Sequence, residues 1–294
     1  MEIGFTADNY RSLPVSLILR LFNWIGIGFS EVTTSIFSHP RRGLRSTRGM
    51  NLGLHLPNVG NCGFDISSEA NREKVNSVLE NLDKYRNMFD FQYAVFHPPE
   101  ENPPRCSYDY YIHNLRQIKT PLLLENTRAY PLNHFLKFHD IVKKELGNSL
   151  AGVCLDIPHA YLAGEDWRAY YRRFKSEVKL IHLSNCDDEL DRHLPFGMSG
   201  SLDLDEILGS LADFKFNGFL NFEIKPPSLS HLHLVFYSFL RAKDYFQPDG
   251  ISRMRRRMRL VGFLGRVLGL ILHPRLSFRV PSFQGARNLR KRRF

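Results

Sequence analysis

Hydrophobic runs alternate with segments of helical periodicity along most of the chain. Eight short runs rich in aliphatic, β-branched and aromatic residues predict strands at 3–7, 27–33, 50–55, 91–97, 120–125, 150–156, 178–183 and 217–223. Segments between and after them predict helices at 11–24, 35–46, 68–88, 107–117, 131–146, 160–175, 203–213 and 229–245. The strands are almost continuously apolar, which is typical of parallel strands buried on both faces.

Eight strand–helix pairs in succession predict an α/β fold of the (β/α)8, or TIM, barrel type. An open doubly wound sheet is the competing fold, but no glycine-rich phosphate-binding sequence follows the first strand. A chain of 294 residues has room for one such barrel and an extension. We therefore predict a barrel over residues 1–247 and a C-terminal tail over residues 248–294.

The net charge of +10 is concentrated in the tail. Residues 248–294 contain thirteen Arg and Lys against one acid, Asp249, which leaves 27 basic and 29 acidic residues in the barrel. A slightly acidic barrel attracts the phosphates of a nucleic-acid duplex only weakly. Nucleic acid is therefore not a favoured partner of the barrel.

The first part of the tail, residues 251–272, predicts a basic amphipathic helix. One helical face collects residues at spacings of three and four: Arg255, Arg259, Gly262, Arg266, Gly269 and His273. Apolar residues cover the rest of the helix, so an anionic membrane surface is one predicted partner. Packing against the bottom of the barrel or a second subunit is the alternative, which the glycines also fit.

Cysteine usage and apolar runs bear on the cellular compartment. The four cysteines are widely spaced without a CxxC pair, which indicates free thiols in a reducing compartment. No secretory signal opens the sequence, and no apolar run reaches the roughly 18 residues of a spanning helix. We expect a cytoplasmic protein, with peripheral attachment to the inner face of the membrane as an option through the tail.

Ligand-type side chains stand where the predicted strands end, which is where barrels of this type place functional residues. They follow the third to the eighth strand: His55, His97, Glu125, Asp156, His159, His182, Asp191, His193 and Glu223. The first two strands offer only Asp8, Glu31 and Thr33. Each residue alone has an ordinary explanation, such as a surface histidine or a helix cap. Nine ligands exceed the roughly four to six that one ion takes, so we predict several divalent ions, zinc or manganese.

Short motifs around these residues resemble the xylose isomerase-like barrel superfamily, which holds sugar isomerases and epimerases and the endonuclease IV family of DNA repair. The motifs are His55-Leu-Pro, Phe96-His97-Pro98, Leu124-Glu125-Asn126, Cys154-Leu-Asp156-Ile-Pro-His159-Ala, Ile181-His182-Leu, Asp191-Arg192-His193 with Gly197 and Gly200, and Phe222-Glu223. Each motif is weak alone, whereas the ordered set is specific to the superfamily. The resemblance covers about residues 3–245 and leaves the tail out.

The resemblance implies two alternative metal centres. In the isomerases and epimerases, two glutamates serve as acid and base beside one ion, typically manganese, held by residues matching Glu125, Asp156, His182 and Glu223. In the endonuclease IV family, three zinc ions serve phosphodiester hydrolysis. The ligands matching those of the three ions are His55, His97 and Glu125; Glu125, Asp156, His182 and Glu223; and His159, Asp191 and His193.

The complete set of nine favours a zinc-dependent phosphoester hydrolase with two or three Zn²⁺ ions over an enzyme with one Mn²⁺ or another divalent cation. Two departures from the endonuclease pattern favour a small phosphoester substrate over DNA. Asn58 stands where an aromatic residue is expected, and Arg128-Ala-Tyr-Pro131 replaces a glycine-containing run. The alternatives are a single-metal sugar or sugar-phosphate isomerase or epimerase, and a membrane-associated metal-containing binding protein without turnover.

We predict three catalytic residues: Glu125, Glu223 and Arg192. The two glutamates follow from the resemblance, as ligands or as acid and base. Arg192 lies between two predicted ligands, and the sequence supports two interpretations of it about equally. It neutralises a substrate phosphate, or it pairs with an acid of its own loop, Asp187, Asp188 or Glu189.

Overall fold

The structure, a computed structural model, describes residues 1–10, 13–100 and 107–272, with side chains as far as residue 269. Eight parallel strands form a closed barrel in sequence order. They are β1 (Glu2–Ala7), β2 (Phe29–Thr33), β3 (Asn51–His55), β4 (Phe91–Phe96), β5 (Leu122–Glu125), β6 (Leu150–Asp156), β7 (Val178–Leu183) and β8 (Phe219–Phe222). Pairing of β8 with β1, with Leu220 opposite Ile3, closes the barrel. The prediction of a (β/α)8 barrel is therefore confirmed.

Helices cover the outside of the barrel and connect its strands. They are α1 (Val15–Ile25), α2 (Pro40–Ser46), α3 (Val59–Cys62), α4 (Arg72–Tyr85), α5 (Tyr108–Gln117), α6 (Leu132–Leu146), α7 (Ile157–Leu162), α8 (Trp167–Phe174), α9 (Leu204–Asp213), α10 (Leu232–Phe246) and α11 (Ser252–Leu272). Short 3-10 helices lie at Thr34–Ser38, Glu69–Asn71, Gly147–Ser149 and Leu229–His231.

The helix predicted over 160–175 is two helices, α7 and α8. Gly164, just after the end of α7, has φ +76°, a left-handed conformation that a helix cannot continue through. Asp166 then starts α8 by accepting a 3.0 Å hydrogen bond from the backbone N–H of Arg168. The apolar periodicity runs through this break, which is why the sequence pattern suggested a single helix.

The two-residue period of the strands divides the barrel interior into an apolar floor and a polar mouth. Tyr93, Leu123, Cys154 and Leu180 belong to a small buried cluster that is separate from the main core between strands and helices. Two positions after three of these residues, on the same face of the strand, stand predicted ligands: Glu125 after Leu123, Asp156 after Cys154 and His182 after Leu180. The ligands therefore project inward at the C-terminal ends of the strands.

The predicted tail helix, α11, packs on α10 at the side of the barrel. Met258 is buried in this contact, and Arg255 forms an ion pair with Asp244. Arg257 donates a hydrogen bond to the backbone oxygen of Trp24, and its guanidinium lies 5.0 Å from the centre of the indole ring. No helix among the described residues combines the length and the hydropathy that a membrane span requires. Residues 273–294 of the predicted tail lie outside the described residues.

Candidate metal centre

The structure brings all nine predicted ligands together at the C-terminal end of the barrel. Glu125 lies at the centre of the set and is 1% exposed. Its Oε2 lies 3.2 Å from His55 Nε2, 3.3 Å from His97 Nε2 and 3.3 Å from His182 Nδ1. Its Oε1 lies 3.2 Å from His159 Nδ1. Four imidazoles thus surround one buried carboxylate, with different partners on its two oxygens.

The outer nitrogens of three of these histidines face hydrogen-bond acceptors. His55 Nδ1 lies 2.7 Å from the carbonyl oxygen of the next residue, and His97 Nδ1 lies 2.7 Å from Glu100 Oε1. His182 Nε2 lies 3.1 Å from Glu31 Oε2. An N–H that donates outward leaves a lone pair on the inner nitrogen, directed at the cluster. This is the tautomer that a metal-binding histidine requires.

Buried inner nitrogens without a partner indicate that the cluster fits a cation. His97 Nε2, His182 Nδ1 and His193 Nδ1 are buried without a hydrogen-bond partner among the described residues. Lone pairs that face the oxygens of Glu125 repel them unless a proton or a metal ion lies between. Imidazole nitrogens and carboxylate oxygens are ligands that zinc and manganese accept. The donor set therefore fits a divalent ion.

Two members of the cluster, His97 and Asp156, hold protons strongly, because their pKa values are raised. Burial lowers the pKa of His97, but the carboxylate of Glu125 and the hydrogen bond to Glu100 outweigh it and raise that pKa to about 10. Burial raises the pKa of Asp156 to about 8, despite the opposing charge of His159. Without a metal ion, protons therefore occupy part of the site at neutral pH.

Glu223 behaves in the opposite way because three histidines face it. Burial raises its pKa, but the charges of His182, His193 and His55 outweigh burial and lower the pKa to about 2. The carboxylate is thus ionised throughout the ordinary pH range. Its Oε2 lies 3.6 Å from Nδ1 of His182, which is carried by β7.

The outer ligands, Asp191 and His193, are carried by the long loop between β7 and α9. Asp191 Oδ2 lies 3.5 Å from His159 Nε2 and 3.5 Å from His193 Nδ1. His193 has φ +49°, an uncommon backbone conformation for a residue with a side chain, and its carbonyl oxygen accepts a 2.7 Å hydrogen bond from Lys225 N. The loop geometry, and not the strand, thus aims this pair at the cluster.

The side chain of Asn185 connects two parts of that loop by hydrogen bonds. Its Oδ1 accepts hydrogen bonds of 3.1 Å from the backbone N–H groups of Cys186 and Leu202. Gly200 lies against the same side chain, since a Cβ there would come within 2.2 Å of Asn185 Nδ2. The glycine that accompanies the Asp191-Arg192-His193 motif therefore permits the loop to close over its own asparagine.

Ligand atoms of the described residues form four groups whose members lie within 4.8 Å of one another. The groups are His55, His97 and Glu125; Glu125, Asp156 and His159; Glu31, His55, His182 and Glu223; and Glu125, Cys154 and His182. Glu125 belongs to three of them, whereas Asp191 and His193 belong to none. The inner part of the site is therefore compact, and the part next to the loop is wider.

Glu31 is a member of the site to which the sequence analysis assigned no role. It is fully buried, and its Oε2 also accepts a 3.0 Å hydrogen bond from Tyr93 OH. Gly53 makes room for this contact, because a Cβ there would lie 2.3 Å from the Tyr93 ring. The signal in the sequence was an acid in the middle of an apolar strand. Glu100 was also missed, since it follows β4 in a loop and meets the cluster through the outer nitrogen of His97.

Arg192 does not contact the cluster. Its Nε lies 2.6 Å from Asp187 Oδ2 in an ion pair, and its side chain is 58% exposed. The structure therefore shows the second interpretation, in which Arg192 pairs with an acid of its own loop. A catalytic role of Arg192 stays a prediction. Arg128 likewise donates a 2.7 Å hydrogen bond to the carbonyl oxygen of Glu189, which connects the loop after β5 to the loop after β7.

Solved structures with the same fold include enzymes of different kinds. D-psicose 3-epimerase from Clostridium cellulolyticum H10, in complex with D-tagatose, matches with a TM-score of 0.57 and 12% identity over 91% of this chain and 99% of that one. An AP endonuclease, family 2, from Brucella melitensis matches with a TM-score of 0.56 and 12% identity over 77% and 94%. A Thermus thermophilus protein soaked with ZnCl2 matches with a TM-score of 0.58 and 19% identity over 84% and 99%.

At these identities the structural likeness shows the fold alone. No curated protein matches this chain. A sequence model of one family, described as "Xylose isomerase-like TIM barrel", matches residues 41–242, which is more than half of the chain. That range contains all nine predicted ligands, whereas Glu31 lies before it. The resemblance found in the sequence is confirmed: the chain belongs to the xylose isomerase-like TIM barrel family.

Proposed function

We propose that this protein is a metal-dependent phosphoester hydrolase with two or three zinc ions at the mouth of its barrel. The observation that carries the proposal is that two of the groups of close ligand atoms share Glu125. One group contains His55 and His97, and the other contains Asp156 and His159. A carboxylate that two groups of ligands share is suited to bridging two ions.

The proposed ligands divide into three sets, two of which share Glu125. The first consists of His55, His97 and Glu125, the second of Glu125, Asp156, His182 and Glu223, and the third of His159, Asp191 and His193. Bound zinc would supply Lewis-acid polarisation of a phosphoryl oxygen and acidify a coordinated water. Glu31 and Glu100 would orient His182 and His97 by accepting their outer N–H groups. Glu125 and Glu223 would act directly at the reacting atoms.

A small phosphoester suits the mouth of the barrel better than a DNA duplex. Asn58 is buried, and its Oδ1 accepts a 2.8 Å hydrogen bond from the N–H of Asn61 to begin α3. The position therefore presents no aromatic ring to a nucleic acid. Arg128 is engaged with the loop after β7. The barrel sequence, with 27 basic and 29 acidic residues, adds little phosphate attraction.

Metal stoichiometry tests the proposal directly. The protein purified without chelator is expected to contain two or three zinc ions per chain, and His55→Ala and His193→Ala should each contain about one fewer. Elemental mass spectrometry measures this, with His113→Ala on the exposed side of α5 as the matched control. A wild-type protein without bound metal would refute the hydrolase and the isomerase alike.

A single-metal sugar or sugar-phosphate isomerase is the second candidate. The observation in its favour is the position of His182 Nδ1, which lies 3.3 Å from Glu125, 3.6 Å from Glu223 and 3.9 Å from Asp156. These four residues suffice for one ion, and an epimerase is among the proteins with a similar structure. One manganese ion per chain, retained in His55→Ala and lost in Glu223→Ala, would replace the hydrolase by the isomerase.

Metal uptake is expected to release protons. At neutral pH, His97 is protonated in the metal-free protein, with a pKa raised to about 10, and Asp156 is largely protonated, with a pKa raised to about 8. A divalent ion must displace these protons, so its affinity should rise as the pH rises from about 6 to about 8. Calorimetric titrations of the metal-free protein with zinc, in buffers of different ionisation enthalpy, count the protons. Binding without proton release would contradict the placement of the ion on His97 and Asp156.

A further inference from the structure

The inner face of α11 is built for close packing on the barrel. Gly262, Gly265 and Gly269 recur at spacings of three and four, so they lie on one side of the helix. A Cβ on Gly265 would lie 2.6 Å from the carbonyl oxygen of Leu229, and one on Gly269 would lie 3.0 Å from Ser230 N. These glycines of the tail thus face α10 and the 3-10 helix before it.

The outer face of α11 carries an apolar stripe in solvent. It consists of Leu260, Phe263, Leu264 and Val267, whose spacings of three, four and seven place them in one line along the helix. Phe263 is 63% exposed, and the other three are 37–50% exposed. This helix packs its glycines on the barrel and exposes its large apolar residues. The arrangement is unusual, because the burial of large apolar side chains is favourable. A contiguous exposed stripe of this kind is typical of an interaction surface.

Exposed arginines surround the stripe. Arg253 and Arg256 continue its line toward the start of α11, and Arg259 and Arg266 flank it on one side. No Asp or Glu occurs in the sequence of α11, and none follows Asp249 to the end of the chain. A partner that complements the charge of this helix must therefore be negatively charged along the whole contact.

We propose that the stripe of α11 docks this protein on an anionic lipid membrane. Apolar side chains would enter the boundary between headgroups and acyl chains while the arginines contact the anionic headgroups. A second copy of the chain is a poorer occupant, because a two-fold contact through α11 would bring its arginines against each other without an acid in either helix.

The docked helix runs toward the end of the barrel that carries the metal cluster. The start of α11 lies beside the end of α1, where Met254 Cε is near Gly26. Its far half lies beside Leu229–His231, the 3-10 helix that follows β8 and the ligand Glu223. Three of the four stripe residues lie in this far half: Phe263, Leu264 and Val267. Docking would therefore place the headgroups at the side of the barrel, toward the end that carries the metal cluster.

The test uses the full chain and two kinds of vesicle, phosphatidylcholine alone and phosphatidylcholine mixed with phosphatidylglycerol. We expect flotation of the wild-type protein with the anionic vesicles and not with the neutral ones. Phe263→Ser should weaken this binding about tenfold or more, because it removes the most exposed member of the stripe. Arg256→Gln combined with Arg266→Gln should weaken it and reduce its sensitivity to salt.

Ile141→Ser is the matched control, since Ile141 is 48% exposed on α6 and lies outside the stripe. It should bind vesicles as the wild type does. Metal content measured on each variant should be unchanged, so the result stands apart from the proposed hydrolase. Equal vesicle binding by Phe263→Ser and the wild type would overturn the proposal. So would a wild-type dimer in light scattering that Phe263→Ser converts to a monomer, since the occupant would then be a second copy.

Discussion

Replacement of Glu125 by glutamine is expected to lower metal affinity at least about a hundredfold and to abolish turnover. The substitution keeps the shape of the side chain but removes the charge that four imidazoles share, at distances of 3.2 and 3.3 Å. It also replaces one anionic oxygen by an amide N–H₂, which cannot coordinate an ion. Elemental analysis of the purified variant and zinc titration of its metal-free form measure the loss.

Glu80→Gln, on the exposed surface of α4, is the matched control for the same chemical change. It should bind metal and turn substrate over as the wild type does. The variant at Glu125 also separates an enzyme from a binding protein without turnover, because a binding protein would keep its ligand affinity. Wild-type metal content in Glu125→Gln would contradict the central role of this carboxylate.

Replacement of Glu31 by glutamine is expected to weaken metal binding about 10- to 100-fold, although Glu31 lies behind the ligand set. Its Oε2 faces His182 Nε2 at 3.1 Å and accepts from Tyr93 OH at 3.0 Å. A glutamine there loses the charge that holds the N–H of His182 outward, so the inner nitrogen of His182 is less basic and less well aimed. Disruption of these buried hydrogen bonds in the variant should also lower the free energy of unfolding by about 1–3 kcal/mol.

Two measurements distinguish positioning by Glu31 from a purely structural role. Zinc titration reports the metal affinity, and denaturant unfolding of the metal-free protein reports the stability. Asp8→Asn is the control, since Asp8 stands at the end of β1 and accepts from Thr33 and Ser35 instead of a histidine. A loss of stability in Glu31→Gln with unchanged zinc affinity would show that Glu31 only fills the barrel floor.

The site could be predicted because a parallel barrel converts strand ends into one surface. Leu123 and Glu125, or Leu180 and His182, are two residues apart, and the strand period sends both inward at successive heights. Reading the last inward position of each strand therefore locates a ligand without knowledge of the fold's details. The same reasoning failed for Glu31, because it lies one inward position before the end of β2 and its partners come from β4 and β7.

The sequence alone determined the number and order of strands, the barrel and the nine residues that meet at its mouth, since hydrophobic periodicity and strand-end chemistry are local properties. The tertiary structure decided which residues each ligand faces. It directed Arg192 to Asp187, placed Glu31 behind His182, and turned the glycine face of α11 toward the barrel with its apolar stripe outward. These outcomes depend on contacts that form only when the chain is folded, which the periodicity of any one segment does not encode.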